Sequence, residues 1–162
     1  MNAVPLSFEV KAVYGQTERV AAFVASQPPF DPSRGFGECE AIGFEIDGHL
    51  VAGAVFSNWS PEAGTIEISA SATDRRWMTR KSLQRIFGYV FSQAGCQLCI
   101  LSVSESNSHM RHIARRLGFT EYLIPRLRGR GEAGAIYTLT AEQWAASRIR
   151  GKTVETETAK AA

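Results

Sequence analysis

The residues best suited to chemistry lie between Thr73 and Phe119. A run of cations, Arg75, Arg76, Arg80 and Lys81, stands among Asp74, Trp77, Met78 and Thr79, directly before a helical pattern. Arginine presents a planar fork of donors that suits phosphate oxygens. A helix start adds orphan backbone N–H groups and the positive end of the dipole. Loop and helix start together predict a site for a phosphate-bearing anion. Asn107 opens a second helical stretch, where its short side-chain oxygen suits the N-cap. His109 and His112 fall on the polar side of that stretch without partner ligands and read as surface groups. Cys96 and Cys99 have C-x-x-C spacing, but there is no second pair for zinc and no redox-type context. With Cys39 they read as buried or half-buried free thiols.

These groups need a scaffold, and the pattern supplies one. Leu83, Ile86, Phe87, Val90 and Phe91 fall at i, i+3, i+4, i+7 and i+8, one apolar stripe of a helix that Gly95 ends. Leu98, Ile100 and Val103 follow as a mostly buried strand. Met110, Ile113, Ala114 and Leu117 then form the apolar side of a second helix, closed by Gly118. Upstream, 4–13 reads as a strand, and 16–26 as a helix that stops before Pro28-Pro29. The segment 28–37, with Phe30 and Phe36, is a loop by composition, either a substrate-side lid or a packed connector. The run 40–46 joins 49–57 through Asp47-Gly48, a hairpin signal. Pro61 to Gly64 turns the chain into 65–72, so these three strands should form an antiparallel meander. Short strands at 120–124 and 135–140 flank the Arg/Gly-rich PRLRGRGEAG, and a last helix, 141–150, carries Trp144. The tail 151–162 has too few apolar groups to bury and is expected to be frayed or disordered.

The totals bound the answer. A chain of 162 residues suits one domain, here 1–150, with a true core. Hydrophobic content of 44% and charged content of 21% are those of a soluble globular protein. A net charge of +2 does not argue for nucleic acid, but the cations cluster, which suggests an anionic small ligand or acidic partner. The start lacks a basic segment followed by a long apolar run, and no window approaches the ~20 apolar residues of a membrane span. Reduced cysteines and no export signal point to the cytoplasm, with no membrane partner.

Three stretches carry a resemblance. Residues 107–119, NSHMRHIARRLGF, are similar to the asparagine-to-Leu-Gly-Phe segment of the GNAT superfamily of acyl-CoA-dependent N-acetyltransferases. They look most like its branch that acetylates protein N-termini, including those of ribosomal proteins. Tyr89, Phe91 and Gly95 resemble the Y-A-F-x-x-L-G ending of the preceding helix in that branch. Residues 136–144, IYTLTAEQW, resemble its C-terminal strand and Glu-x-Trp ending. The resemblance covers roughly 40–144 and implies an α/β fold: a mixed, mostly antiparallel, twisted sheet with helices on both faces. It also implies acetyl-CoA as cosubstrate and no metal. In the family's pyrophosphate loop, Q/R-x-x-G-x-G/A, the fixed positions fall on Asp74, Trp77 and Thr79, so both small positions hold larger groups. Glycine serves there because the backbone must approach the phosphates. Trp77 must therefore turn away, or the loop must open, with Arg75, Arg76 and Arg80 compensating by charge.

By the same resemblance, main chain at Ser69, Ala70 and Ser71 would pair with the pantetheine amides, and Arg75, Arg76, Trp77, Met78, Thr79 and Arg80 would cradle the pyrophosphate. Asn107 would contact the coenzyme or a bridging water, though capping alone accounts for it too. Acetyl transfer needs a neutral amine, a donor for the thioester carbonyl and a proton for the thiolate. The family's tyrosine position is Ala114 here, and its fifth-strand base position is Ser102, so the usual pair is absent. Glu67, facing away from Ile66 and Ile68, points at an acceptor groove or at solvent, and would take the amine proton through water. Ser104 or Ser102 would protonate the thiolate, or, as strand serines usually are, be satisfied locally. Glu132 lies in the Arg/Gly-rich run and reads as a solvated charge. Arg126, Arg128 and Arg130 read as a solvated loop, as recognition of an acidic or phosphorylated acceptor, or, without interleaved aromatics, least as a nucleic-acid contact. The expected activity is transfer of acetyl to a primary amine, small-molecule or protein N-terminus, by direct attack in a ternary complex, in a monomer or homodimer. The alternatives are a GNAT-like module that holds acyl-CoA or protein without turnover, and a regulator acting through its arginine-rich face.

Overall fold

A computed structural model describes residues 8–151. Seven strands, β1 (Val10–Val13), β2 (Cys39–Ile46), β3 (His49–Ser60), β4 (Thr65–Ala72), β5 (Leu98–Ser104), β6 (Thr120–Gly129) and β7 (Glu132–Thr140), form one sheet in the order β1-β2-β3-β4-β5-β7-β6. Helices α1 (Thr17–Ala25), α2 (Arg80–Gly88), α3 (Ser108–Arg116) and α4 (Ala141–Ala146) flank it. Pairing is antiparallel for β1–β2, β2–β3, β5–β7 and β6–β7 and parallel for β4–β5, the mixed α/β sheet expected from the sequence. The chain divides into two compact units: the part through Ser57 with Ser69–Ile86, and Asn58–Ile68 with the part from Phe87 onward.

In the first unit the Asp47-Gly48 turn has both residues at positive φ (52° and 77°), the backbone a two-residue hairpin requires. Gly43 faces Gly53 across β2 and β3, and α1 rests on both. A Cβ on Gly53 would lie 2.7 Å from Val20 Cγ1 and 2.8 Å from Val24 Cγ2, so the two glycines set how closely α1 approaches. Val20 and Val24 are fully buried there, each contributing roughly 1.5–3 kcal/mol. Phe30 and Phe36 meet edge-on at 5.5 Å and pack on the same cluster, so 28–37 is a packed connector rather than a lid.

In the second unit the apolar stripe continues past Gly88. Tyr89–Gln93 forms a π-helical turn in which Ala94 N–H bonds to Tyr89 carbonyl oxygen. Phe87, with Trp144 at 4.9 Å and Phe119 at 5.9 Å, makes an aromatic core over which α4 closes. Thr140 and Gln143 form a capping box that starts α4.

Four boundaries differ from expectation. The described part of the first strand begins at Val10; residues 4–7 lie outside the described residues, as does the tail beyond Gly151. The last helix stops at Ala146, where Ser147 turns extended, not at Arg150. β3 runs on to Ser60. The Arg/Gly-rich run is not a loop between short strands: β6 extends to Gly129 and β7 begins at Glu132, with an irregularity between Ile124 and Gly129 where Arg126 has φ 65°. The cause is pairing, since Ile124 opposite Gly134 and Gly129 opposite Glu132 close a longer ladder than local composition suggests.

Candidate functional site

The cationic loop belongs to the first unit. Asp74 ends β4's exit and starts a 3-10 turn, Arg75–Trp77, by accepting the Arg76 N–H at 3.0 Å. Its carboxylate also takes the Arg76 guanidinium in a fork, Nε at 3.1 and 3.2 Å and Nη2 at 2.7 Å. The guanidinium beside it holds the Asp74 carboxyl below the usual carboxylate range. The same guanidinium lies over the Phe8 ring at 4.9 Å. Trp77 is buried, its indole 5.1 Å from the Phe44 ring. Thr79 caps α2, accepting the Ser82 N–H at 3.1 Å, while Ser82 Oγ donates to the Trp77 carbonyl at 2.7 Å and so pins the turn to the helix. Arg75 and Lys81 are exposed, with no side-chain partner among the described residues. Arg80 is exposed too, at the first position of α2.

These residues fit a diphosphate in part. The bulky indole that stands in place of a small residue turns inward and leaves the loop surface. Arg75, Arg80 and Lys81 present charge beside a nine-residue helix start. The Arg76 backbone N–H and side chain are already taken by Asp74. Met78, half-buried, ends the 3-10 turn.

β4 carries the next group. Its ladder with β5 runs Thr65↔Leu98, Ile66↔Cys99 and Glu67↔Ile100 and ends there, whereas β4 continues to Ala72. Ser69, Ala70 and Ser71 are half-buried on that continuation, and Ser71 Oγ donates to Val24 carbonyl oxygen at 3.3 Å, toward α1. Glu67, in the second unit, alternates with buried Ile66 and Ile68; its Oε2 accepts from Asn58 Nδ2 at 2.9 Å. Asn58 reaches it from a left-handed backbone, φ 51°.

The second unit also holds Ser102, Ser104 and Asn107. Ser102 is exposed, and its carbonyl accepts from Arg128 Nη2 at 3.0 Å. Ser104 Oγ donates to Glu132 Oε1. Ser106 Oγ stands 2.9 Å from Ser104 Oγ and 3.3 Å from that same carboxylate oxygen. Glu132 is thus a half-buried, clamped carboxylate at the start of β7 and not the solvated charge its sequence neighbours suggest. Asn107 Oδ1 accepts the Met110 N–H at 3.2 Å, which makes it the N-cap of α3. His109 and His112 are exposed, as expected. Ala114 is fully buried. Cys39, Cys96 and Cys99 are free; burial pushes Cys99 up to about 12, and no described residue beside it is positioned as a base.

Sequence reading missed one charged cluster. Glu121 on β6 accepts from Arg115 Nε and from the buried Tyr137 hydroxyl, both at 2.7 Å, and from Arg111 Nη2 at 3.0 Å. Its members are spread over 27 positions of chain, and nothing local marks them as partners. Among the described residues no group of three or more His, Cys, Asp or Glu could hold a metal, and no helix is long and apolar enough to cross a membrane.

No family model and no curated protein matches the chain by sequence. Solved structures do match it in fold. A putative acetyltransferase superposes with TM-score 0.65 at 14% identity, over 90% of this chain and 91% of that one. A probable acetyltransferase gives TM-score 0.57 at 17% identity over 67% of this chain, which spans 65% of that protein's length. A mutant spermidine N-acetyltransferase, SpeG of Vibrio cholerae, gives TM-score 0.59 at 14% identity, over 67% and 69%. The fold of this chain is the one these acetyltransferase structures share.

Proposed function

We propose that this chain transfers an acetyl group from acetyl-CoA to a primary amine. The observation that carries the reading is Trp77: its indole is packed on Phe44, so the pyrophosphate loop keeps a cationic surface despite a bulky residue where the pattern asks for a small one. In this reading Arg75, Arg80 and Lys81, with the α2 start, hold the diphosphate, and main chain at Ser69 to Ser71 pairs with the pantetheine amides. Bound acetyl-CoA supplies the thioester carbonyl. Glu67, oriented by Asn58 through one carboxylate oxygen, takes the ammonium proton through water so that a neutral amine attacks directly. Cys99 is fully buried, its thiol raised by that burial, which argues against an acyl carrier there.

The acceptor is a small amine or a protein N-terminus. The spermidine acetyltransferase likeness supports the first, and the similarity at 107–119 the second. Titration calorimetry with acetyl-CoA, then thiol release with a panel containing spermidine and an alanine-initiated peptide, tests both parts. Heat of binding and turnover with one class of amine are expected. No heat and no thermal shift with the coenzyme would remove the reading.

A further inference from the structure

We infer that the open sheet face between Glu67 and Arg128 takes the acceptor, and that this acceptor is a primary amine with an apolar body and a negative group rather than a polyamine; the inference rests on the transfer reading above. Paired strand residues project to the same side of a sheet. Glu67 pairs with Ile100, Ser102 with Ile136, Ile136 with Tyr122, and Gly134 with Ile124. One surface therefore runs from the carboxylate across β5 and β7 to β6, all within the second unit. On the opposite surface the alternate residues Leu101, Val103, Ala135 and Tyr137 are buried. On this one Ile100 and Ile136 are half-buried, and Tyr122 and Ile124 are 53% and 40% exposed, which leaves an apolar floor open.

The irregularity in β6 builds a wall beside that floor. Ile124 pairs with Gly134 and Gly129 with Glu132, so residues 125–128 stand opposite Ala133 alone. A bulge of this kind re-aims the side chains it carries. Leu127 folds back onto Gly134, where an added Cβ would lie 2.6 Å from Leu127 Cδ2, so only a glycine lets the bulge rest on the sheet. Arg128 then reaches past β7 to β5, its Nη2 donating to the Ser102 carbonyl at 3.0 Å. Its remaining N–H groups have no partner among the described residues, and neither has the exposed Arg126 beside it.

Charge and reach decide what fits. Glu67, with Oε2 held by Asn58, suits an ammonium group. Ser102 is the next residue of this face after Ile100, about 7 Å along β5, and it carries the guanidinium. An amine lying over Ile100 and Ile136 thus brings a negative group a few bonds away to Arg128. Glu132 is the other carboxylate on this face, and Thr138, the β7 neighbour of Ile100, is roughly 20 Å of strand away from it. Spermidine cannot span that length, and its second ammonium would meet Arg128 instead. Discrimination against polyamines comes from that repulsion as much as from attraction for the negative group. A free amino acid with an apolar side chain and an acidic peptide N-terminus share the favoured chemistry.

The test measures thiol release from acetyl-CoA with spermidine, phenylalanine, and alanine-initiated peptides that continue in aspartate or in lysine. Expected is a kcat/KM for phenylalanine or the aspartate peptide about 10-fold or more above those for spermidine and the lysine peptide. Phenylalanine ahead of the peptide would name a small amino acid as the source, and the reverse order an acidic N-terminus. Arg128→Glu should invert the order of the two peptides, through KM more than kcat, with calorimetric affinity for acetyl-CoA unchanged. A readout free of turnover uses 13C-methyl isoleucine: the resonance missing from Ile136→Val should move when the favoured amine is added without coenzyme, and stay still with spermidine. Preference for spermidine, or peptide KM values indifferent to Arg128→Glu, overturns the inference and leaves the transfer reading standing. A dimer that Ile124→Glu turns into a monomer would mean that a second copy covers the face, and overturns it too. No turnover with any amine and no heat with the coenzyme removes both.

Discussion

At the scale of single residues, the loop after β4 is governed by two side chains, one buried and one paired at the surface. Trp77 gives its indole to the core, and Asp74 gives its carboxylate to Arg76. Asp74 therefore sits where an anion would otherwise bond, on an N–H and a guanidinium. Asp74→Asn keeps a cap for the 3-10 turn and releases the charge, so acetyl-CoA should bind a few-fold tighter by calorimetry, most clearly at low salt. Arg75→Ala should act oppositely, weakening binding ~10–100-fold if it meets the diphosphate. Unchanged affinity would move the site elsewhere. Cys99 yields a separate test. Cys99 is fully buried and its thiol is pushed up to about 12 by that burial, so it stays protonated at pH 8. Alkylation followed by mass spectrometry should leave Cys99 unmodified in the folded chain and label it quickly in denaturant.

At the scale of elements, the pairing of α1 with β2 and β3 depends on what is missing from two side chains. Gly53→Ala would drive a methyl into Val20 and Val24, both stiff β-branched residues, and should cost about 1–3 kcal/mol in chemical denaturation. A neutral outcome would mean that α1 can ride higher on the sheet than its burial suggests. The start of α3 separates capping from recognition. Asn107→Ala loses the bond to Met110 N–H and should cost ~1 kcal/mol, whereas Asn107→Asp keeps it. Lower coenzyme affinity in the Asp variant, at normal stability, would assign Asn107 a contact beyond its cap. These elements were legible beforehand because each is announced locally: Asp47-Gly48 for the hairpin, the i, i+3, i+4 stripe for α2, Asn107 and Gly118 around α3. The β6–β7 hairpin was not, since Arg126, Gly129 and Gly131 look like loop until strand pairing across the hairpin is counted.

At the scale of the molecule, stability in acid should follow Glu121. Arg115, Tyr137 and Arg111 lower its carboxyl to about 2 from 4.5. A folded-state value below the unfolded one contributes stability that is full above about 4.5 and lost as pH falls toward about 2. Thermal melting between those values should therefore show a steep acid limb in the unaltered chain and a flatter one in Glu121→Gln. Equal limbs would place the acid sensitivity in other carboxylates. The sequence by itself determined what short-range periodicity and residue chemistry can determine: the order of strands and helices, a cationic loop at a helix start, three free thiols, and a resemblance, carried most specifically by 107–119, that implies a mixed α/β fold. Those signals are local because helices, turns and caps are set by neighbours a few positions apart. Only the tertiary structure decided that Trp77 is core, that Asp74 occupies Arg76, that Glu121 gathers two arginines and a tyrosine, and that Glu132 stands clamped beside Ser104. Each of those joins side chains by where strands and turns bring them, and the register that does so is settled by packing and ladder hydrogen bonds rather than by adjacent residues.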